Sequence, residues 1–583
     1  MINDILAGIM KPGRYIGNEW NVLRKPFADA QVKFALCFPD LYEVGMSNLG
    51  MRIIYGILNN LPLVVCERFF SAARDLEEKL RRQKQEIFSL ESRQPLKEFD
   101  IIGFSLGHEL LYTNVLNILD LGAIPLTAKS RDKDFPLVIA GGPCVLNPEP
   151  LADFIDLFVI GEAEEALVEL VSIFGRLKND FKSGKISKDD LLRELSLVEG
   201  VYVPAFYEVQ YSAQGRISAF IAAPGAPAKV KKRVVKDLEN SYFPVKWLVP
   251  YIQIVHDRIT LEITRGCPNR CRFCQARQQY YPLRLRSPQK VFSLAQEAYA
   301  ASGYEEFALA GLSMSDYPYI SQLVQTMIDY FKPLGVSVSL PSIKPKNLVG
   351  GLSAMLASVK KTGLTFAPEA GSKRLRDILG KDFSEEDFFR GLDESFQAGY
   401  QHVKLYFMIG IPQEEDKDLD ALAELAATVS HLRRKTGQPA AGVNLSINAL
   451  IPKPFTAFQW FGMADQEEFK RKQEYLKTKI YRQKKIKVNF HNLKMSYLEG
   501  IFSRGDRRLG EVILQAFLSG CRFDAWEEHL KFEQWEEAFK KVGVNPGFYL
   551  RQISLDEILP WDFLDIGVAK ETLAEEFNKA HLY

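Results

Sequence analysis

Three cysteines, Cys267, Cys271 and Cys274, fall within eight residues, with three and then two residues between them. Thiolates at this spacing can wrap one face of a metal centre. A structural zinc would want a fourth cysteine or histidine close by, and the nearest histidine, His256, precedes the loop on a strand-like run. Iron–sulfur sites normally use four cysteines, so three suggest a four-iron cluster with one iron left for an outside ligand; zinc and free thiols are the other readings of the spacing. Cys37, Cys66, Cys144 and Cys521 are scattered, and seven cysteines in 583 residues argue against a disulfide framework. From Ile263 to Lys290 there are seven basic residues and no acidic one. That excess would stabilise an anionic centre, although Arg277, Arg284 and Arg286 could equally form a solvated basic face.

The cysteines follow ITLEITRG, the first of a series of strand-like runs continuing with EEFALAGLS, VSVSLPSI, LTFAPEAG, HVKLYFMIGIP and VNLSINALIP, with helical stretches between them. Six such runs predict a partial (β/α)6 TIM-type barrel over residues 251–460, whose chemistry belongs on the loops after the C-terminal strand ends. Upstream, VKFALCFP, LVVCERFF, FDIIGFSLG, PLVIAGG and LFVIGE alternate with amphipathic segments, which predicts a Rossmann-like, doubly wound parallel sheet over 31–176. Residues 1–30 form a lead-in. Residues 177–250 are a charge-rich connection carrying a two-stranded ribbon around AQG, and 461–583 look mostly helical. The fold class is α/β.

A chain of 583 residues exceeds one hydrophobic core, and 47% hydrophobic with 25% charged residues is the composition of a globular protein, not a disordered one. A net charge of +1 excludes whole-molecule attraction to nucleic acid or an anionic membrane. The most apolar stretch, Ile101–Ala128, carries His108, Glu109, Asn114, Asn117 and Asp120, too polar for a bilayer span, and the N-terminus has no secretory pattern; a cytoplasmic protein without membrane partners is expected.

The run RGCPNRCRFC resembles the signature of radical S-adenosylmethionine (SAM) enzymes, including an aromatic, Phe273, just before the third cysteine on the adenine side. The resemblance implies a 4Fe-4S cluster on the three cysteines, with SAM's amino and carboxylate groups on the open iron. It also implies reductive cleavage of SAM to a 5′-deoxyadenosyl radical and a low-potential electron donor of the flavodoxin or ferredoxin type. Other strand ends match by position. ALAGLSMSDY stands where the family's loop meets SAM's amino group; Gly-Gly-Glu is absent, leaving Ser313, Ser315 and Asp316. Glu369 in TFAPEAGS stands where relatives place a glutamate on the ribose hydroxyls, and is also readable as an acid at a helix start. Gly410 in FMIGIPQE matches a glycine-rich adenine-side segment, and Lys453 in INALIPKPF is equally readable as a structural cation.

The front domain resembles the cobalamin-binding domain that precedes the barrel in part of this superfamily. The expected Asp-x-His-x-x-Gly appears as Asp40, Tyr42 and Gly45, with tyrosine in the cobalt-ligand position. Ser105, Gly141 and Gly142 match later elements, as does Gly161-Glu162. His108 follows near the same edge and reads better as a structural histidine than as a replacement ligand. Almost the whole sequence, from KPGRYIGNEWN to SRGDRRLG, resembles an uncharacterised bacterial group of cobalamin-domain radical SAM proteins. The expected activity is cobalamin-dependent methylation of an unknown substrate. The alternatives are a radical rearrangement, methylthiolation using Cys37, Cys66 and Cys144, or association with RNA through the basic run Lys470–Lys487 and the RGDRR turn, RNA being also a possible substrate.

Overall fold

The computed structural model describes residues 2–340 and 364–582. In the front domain β1 (Val32–Phe38), β2 (Val64–Phe70), β3 (Ile101–Ser105), β4 (Leu137–Gly141) and β5 (Leu157–Val159) form a parallel sheet in the order 2-1-3-4-5. Every residue of β2 is buried, as in a sheet covered on both faces. The chain reverses direction across the sheet between β1 and β3, so a crevice opens at the C-terminal ends of these strands. A short β6 (Val201–Tyr202) adds antiparallel to β5, so the front sheet does not end at residue 176. The charged connection read from composition is also helical where it begins. The helix Ala163–Ser183 continues through it because Phe174 and Phe181 extend the buried stripe of Leu167, Leu170 and Val171. The ribbon is present as β7 (Tyr207–Tyr211) and β8 (Ile217–Ala222), followed by β9 (Val230–Lys231).

In the second half, β10 (Ile259–Glu262) leads to the two-residue β11 (Thr264–Arg265), which pairs antiparallel with β12 (Arg284–Leu285). A parallel sheet joins β10 to β13 (Glu306–Ala310) and β14 (Ser337–Ser339). The end of the third expected run, beyond residue 340, lies outside the described residues. A second parallel sheet contains β15 (Leu364–Glu369), β16 (His402–Ile409), β17 (Gly442–Ala449) and β18 (Ile486–Phe490). This last strand corrects the six-strand expectation and places part of the basic run in a sheet. It is the outer strand of the described sheet, and Lys487 and Asn489 point to solvent while Ile486 is buried, so its sequence is half polar.

The helices Leu493–Arg504, Leu509–Leu518 and Phe532–Val542 lie against the front domain. One apolar core runs from β1–β5 through Val115 and Tyr112 to Phe502, Val512 and Trp535. The C-terminal region thereby braces the front domain, and its β19 (Leu564–Asp565) pairs with β9 of the connecting region. No helix among the described residues is long and apolar enough to cross a membrane.

Candidate functional site

The β11–β12 pair ties off the base of the cysteine loop. Gly266 (φ +96°) makes the turn, where a Cβ would lie 2.7 and 2.8 Å from the carbonyl oxygens of Pro282 and Tyr280, so the position requires glycine. On its far side the loop is pinned to the helix Lys373–Leu379. The Arg272 amide donates to the Leu379 carbonyl (2.8 Å), and its guanidinium donates to the carbonyls of Asp377 (2.7 Å) and Ile378 (3.0 Å) and to Glu576 (2.8 Å).

Asn269 is the link to the next strand end. Its amide donates to Cys267 Sγ (3.2 Å), Ser313 Oγ (3.3 Å) and Asp316 Oδ2 (2.9 Å), and Ser313 Oγ donates to Asp316 (2.7 Å). The structure thus brings the loop after β13, with Ser315 buried in it, against the cysteine loop.

Glu369, at the end of β15 with φ +70°, accepts from Lys381 Nζ at 3.1 Å. Burial raises the Glu369 pKa, and Lys381 works against that rise. The same lysine faces Cys271, whose thiol burial pushes up to about 11, and Cys274, which shifts in the same direction. Lys381 is a site residue that the sequence reading missed; its signal was a lysine directly after the Gly380 helix stop. Gly410 (φ +79°) ends β16. Its N–H donates to Glu414 (2.7 Å), and Glu414 is in turn paired with buried Lys472 (2.7 Å). Phe273 packs against the core shared by the front and C-terminal regions.

Part of the basic excess is neutralised by carboxylates of the protein. Arg265 pairs with Glu262 (2.9 Å) and with front-domain Glu164 (2.7 Å), while Arg284 donates two hydrogen bonds to Glu162 (2.6 and 2.7 Å). Arg284 and Arg286 are buried, so neither belongs to a solvated face.

Between the front sheet and the barrel lies a cavity of about 590 Å³. The front domain contributes Ser105, Gly141 and Gly142, with the apolar wall of Phe34, Leu36 and Ile139 beneath them; the barrel contributes Thr264, Gln279 and Gly311. Gly142 (φ +113°) has its Cβ position 2.5 Å from the Leu106 carbonyl, and the chain approaches closely there. The Thr264 hydroxyl and the Gln279 carboxamide oxygen are buried without a hydrogen-bond partner. The walls combine apolar side chains with polar groups from both domains.

Asp40, Tyr42 and Gly45 are placed differently from the sequence expectation, and none of them lines this cavity. Tyr42 is buried and donates to Glu19 (2.9 Å), which Arg68 also grips (2.8 Å). Gly45 is filled against the Phe70 ring, 2.3 Å from its Cβ position. Asp40 accepts from Trp526 Nε1 (2.9 Å) and from the Leu41 amide (2.7 Å). In this turn the Tyr42 hydroxyl and Asp40 Oδ1 are already partnered within the protein.

A further cluster joins the strand ends of both domains. Lys453 Nζ donates to Glu109 (2.6 Å) and Ser503 (2.7 Å) and pairs with Glu499 (2.8 Å). His108 Nε2 lies 3.2 Å from Glu499, and its Nδ1 accepts from the Leu110 amide at 3.2 Å. Both ring nitrogens are committed, in keeping with a structural histidine. Among the described residues, His108, Glu109 and Glu499 form the one set of His, Cys, Asp or Glu ligand atoms drawn within 4.8 Å of one another, and the Lys453 ammonium already serves as its cation. The three cysteine sulfurs are not all within 4.8 Å of one another.

Residues 50–204 match the family described as radical SAM proteins, N-terminal, and residues 261–426 match the radical SAM superfamily. An uncharacterised protein of Methanocaldococcus jannaschii is 32% identical over 486 residues, which cover 82% of this chain and 90% of that protein. The ribosomal protein uS12 methylthiotransferase of Desulfotalea psychrophila is 23% identical over 286 residues, covering 46% of this chain and 61% of its own length. Among solved structures, the radical SAM methyltransferase TsrM of Kitasatospora setae aligns at 11% identity and TM-score 0.45, covering 71% of this chain and 72% of its own. The cobalamin-dependent SAM radical enzyme OxsB aligns at 13% identity and TM-score 0.45, covering 94% and 79%. The cysteine loop, the strand ends around it and the archaeal relative agree: this chain belongs to the radical SAM superfamily, in one family with the uncharacterised archaeal protein.

Proposed function

We propose that the chain cleaves SAM reductively at a 4Fe-4S cluster held by Cys267, Cys271 and Cys274, and that its front domain carries cobalamin for methylation of a substrate yet to be identified. The observation that carries this reading is one juxtaposition: the two arms that flank the three-cysteine loop line the same interdomain cavity as a glycine-rich sheet edge. A cluster bound there would supply the electron that breaks SAM's carbon–sulfur bond, giving methionine and the 5′-deoxyadenosyl radical.

The protein's own groups have separate tasks. Asn269 fixes the cysteine loop against Ser313 and Asp316. Lys381 supplies positive charge beside the cysteines for an anionic centre or a carboxylate. Glu369 offers a carboxylate to paired hydroxyls. The C-terminal helices share an apolar core with the front domain and brace it.

The other readings have less support. Cys66 lies early in β2, opposite Phe34, while Cys37 lies near the end of β1 and Cys144 lies beyond β4, so they form no second cysteine triplet. Arg507 is tied to Glu149 (3.0 Å) and Arg508 to Asp506 (2.6 Å). In the basic run, Arg471 pairs with Asp416 (2.9 Å) and Lys472 with Glu414 (2.7 Å), which leaves fewer cations to contact RNA phosphates.

The test is anaerobic reconstitution with iron and sulfide, followed by SAM and dithionite, with chromatography for 5′-deoxyadenosine. Formation in wild type and its absence in Cys271→Ala support the reading; equal amounts in both would end it.

A further inference from the structure

The inner surface of the barrel is not packed as a core. In a closed (β/α) barrel, bulky branched side chains fill the interior in layers. Here the apolar residues of β16–β18, among them Leu405, Phe407, Leu445 and Ile447, pack on the helices Glu385–Gln397, Asp416–Leu432 and Gln466–Ile480. The residues that alternate with them face the other way, and the parallel register sets them in rows. Lys404, Asn444 and Lys487 form one row, and Tyr406, Ser446 and Asn489 the next. In the other half-barrel β10, β13 and β14 set Thr260, Ala308 and Ser339 on one row, again with no large apolar side chain, while Leu261, Phe307 and Val338 join the helix-facing core.

Lys404, Tyr406 and Ser446 are half-buried, and Asn444, Lys487 and Asn489 are exposed. Among the described residues none of these six side chains has a hydrogen-bond or ion-pair partner; the one contact is the Lys404 ammonium over the Tyr406 ring, 4.6 Å from its centre. Other cations of the barrel differ. Arg265, Arg284, Lys381 and Lys472 each meet a carboxylate of the protein. Lys404 and Lys487 stand two strands apart on one row, with Cα atoms about 10 Å from each other, so both ammoniums can converge on one anion above Asn444. The register also pairs Glu369 with Phe407, which puts the lysine row about 10 Å down the strands from Glu369.

We propose that the substrate is a small anion, a phosphate- or carboxylate-bearing molecule, whose charged group is held by Lys404 and Lys487 across Asn444. Tyr406, Ser446 and Asn489 offer hydrogen bonds to the part of it nearer the cysteines. A lysine ammonium is a point charge on a flexible stem and meets either kind of anion, and Asn444 adds an amide donor between the two. The charged group is an anchor remote from the reacting atom, and binding energy gained there orients the rest of the molecule. The inference deepens the radical SAM reading and rests on it for calling the anion a substrate.

The experiment uses the full-length reconstituted protein and equilibrium dialysis against radiolabelled inorganic phosphate and succinate at fixed ionic strength. Lys404→Met, Lys487→Met and their double variant are compared with wild type, and Lys332→Met, at an exposed lysine just after the helix Ile320–Phe331, serves as the control. Wild type is expected to bind at least one probe with a Kd of about 1 mM or tighter, each single variant about tenfold more weakly, and the double variant more weakly still, with the control as wild type. The probe that binds more tightly tells phosphate from carboxylate. Thermal unfolding without a probe separates this role from a structural one: neither lysine has a partner within the protein, so the double variant should keep the wild-type midpoint, and a lowered midpoint would assign the lysines to the fold instead. If wild type binds neither probe, or the double variant binds as tightly as wild type, the inference fails while the radical SAM reading stands. If the lysines bind the anion but wild type forms no 5′-deoxyadenosine, the radical SAM reading fails, and with it the claim that the anion is a substrate.

Discussion

Two turns of this protein follow parallel strands, one directly after β1 with Asp40, Tyr42 and Gly45, the other beyond β10 and the short antiparallel β11, with the three cysteines. Both carry residues of types that do chemistry, yet only the second leaves them available. Tyr42 is absorbed into the Glu19–Arg68 ion network and Asp40 is capped by Trp526. On the cysteine loop the supporting bonds come from Asn269, which also donates to Cys267 Sγ, and from Arg272, and the three cysteines stay half-buried and outside any ion network. Position at a strand end nominates a residue for function; whether its bonding capacity is already used decides the matter.

The largest expected effect is on the loop. Cys271→Ala should abolish iron retention and SAM cleavage, measured by metal analysis and 5′-deoxyadenosine. Retained cluster would remove the distinction between the turns. Next, Glu19→Gln in the first turn's network should cost about 3–5 kcal/mol at neutral pH, because Arg68 is left buried and underpaired. Burial alone would raise the Glu19 pKa, but Arg68 outweighs it and holds the carboxylate below 4.5. Its stabilisation is thus present above 4.5 and lost as pH falls through the lowered value. Denaturant titrations should show the gap between wild type and Glu19→Gln narrowing under acid.

A smaller effect tests the cavity wall. Gly142→Ala places a Cβ against the Leu106 carbonyl at positive φ and should destabilise the protein by about 1–3 kcal/mol, with weaker hydroxocobalamin binding. The smallest sharpens the comparison most. Tyr42→Phe removes one buried hydrogen bond, about 1 kcal/mol by thermal unfolding, and should leave hydroxocobalamin affinity as in wild type. A marked loss of affinity would mean that the first turn serves the ligand after all.

The barrel chemistry was legible because it is local: three cysteines and a strand-end glutamate are read within short windows. The parallel front sheet was legible from its apolar periodicity. What stayed hidden depends on contacts between distant segments. Lys381 gains meaning only from facing Glu369 and the cysteines, and the Lys453–Glu109–Glu499 cluster joins three regions of the chain. β18 was hidden because an outer strand with Lys487 and Asn489 on its solvent side reads as a charged run. The helix beyond Phe174 was hidden by its lysines, although Phe181 continues the buried stripe.

The most direct test of the central claim is electron paramagnetic resonance of the anaerobically reconstituted, dithionite-reduced protein with and without SAM. The account expects a reduced 4Fe-4S signal that changes when SAM is added, because one iron is open to it. Bound zinc in place of iron, or a cluster signal indifferent to SAM, would contradict it.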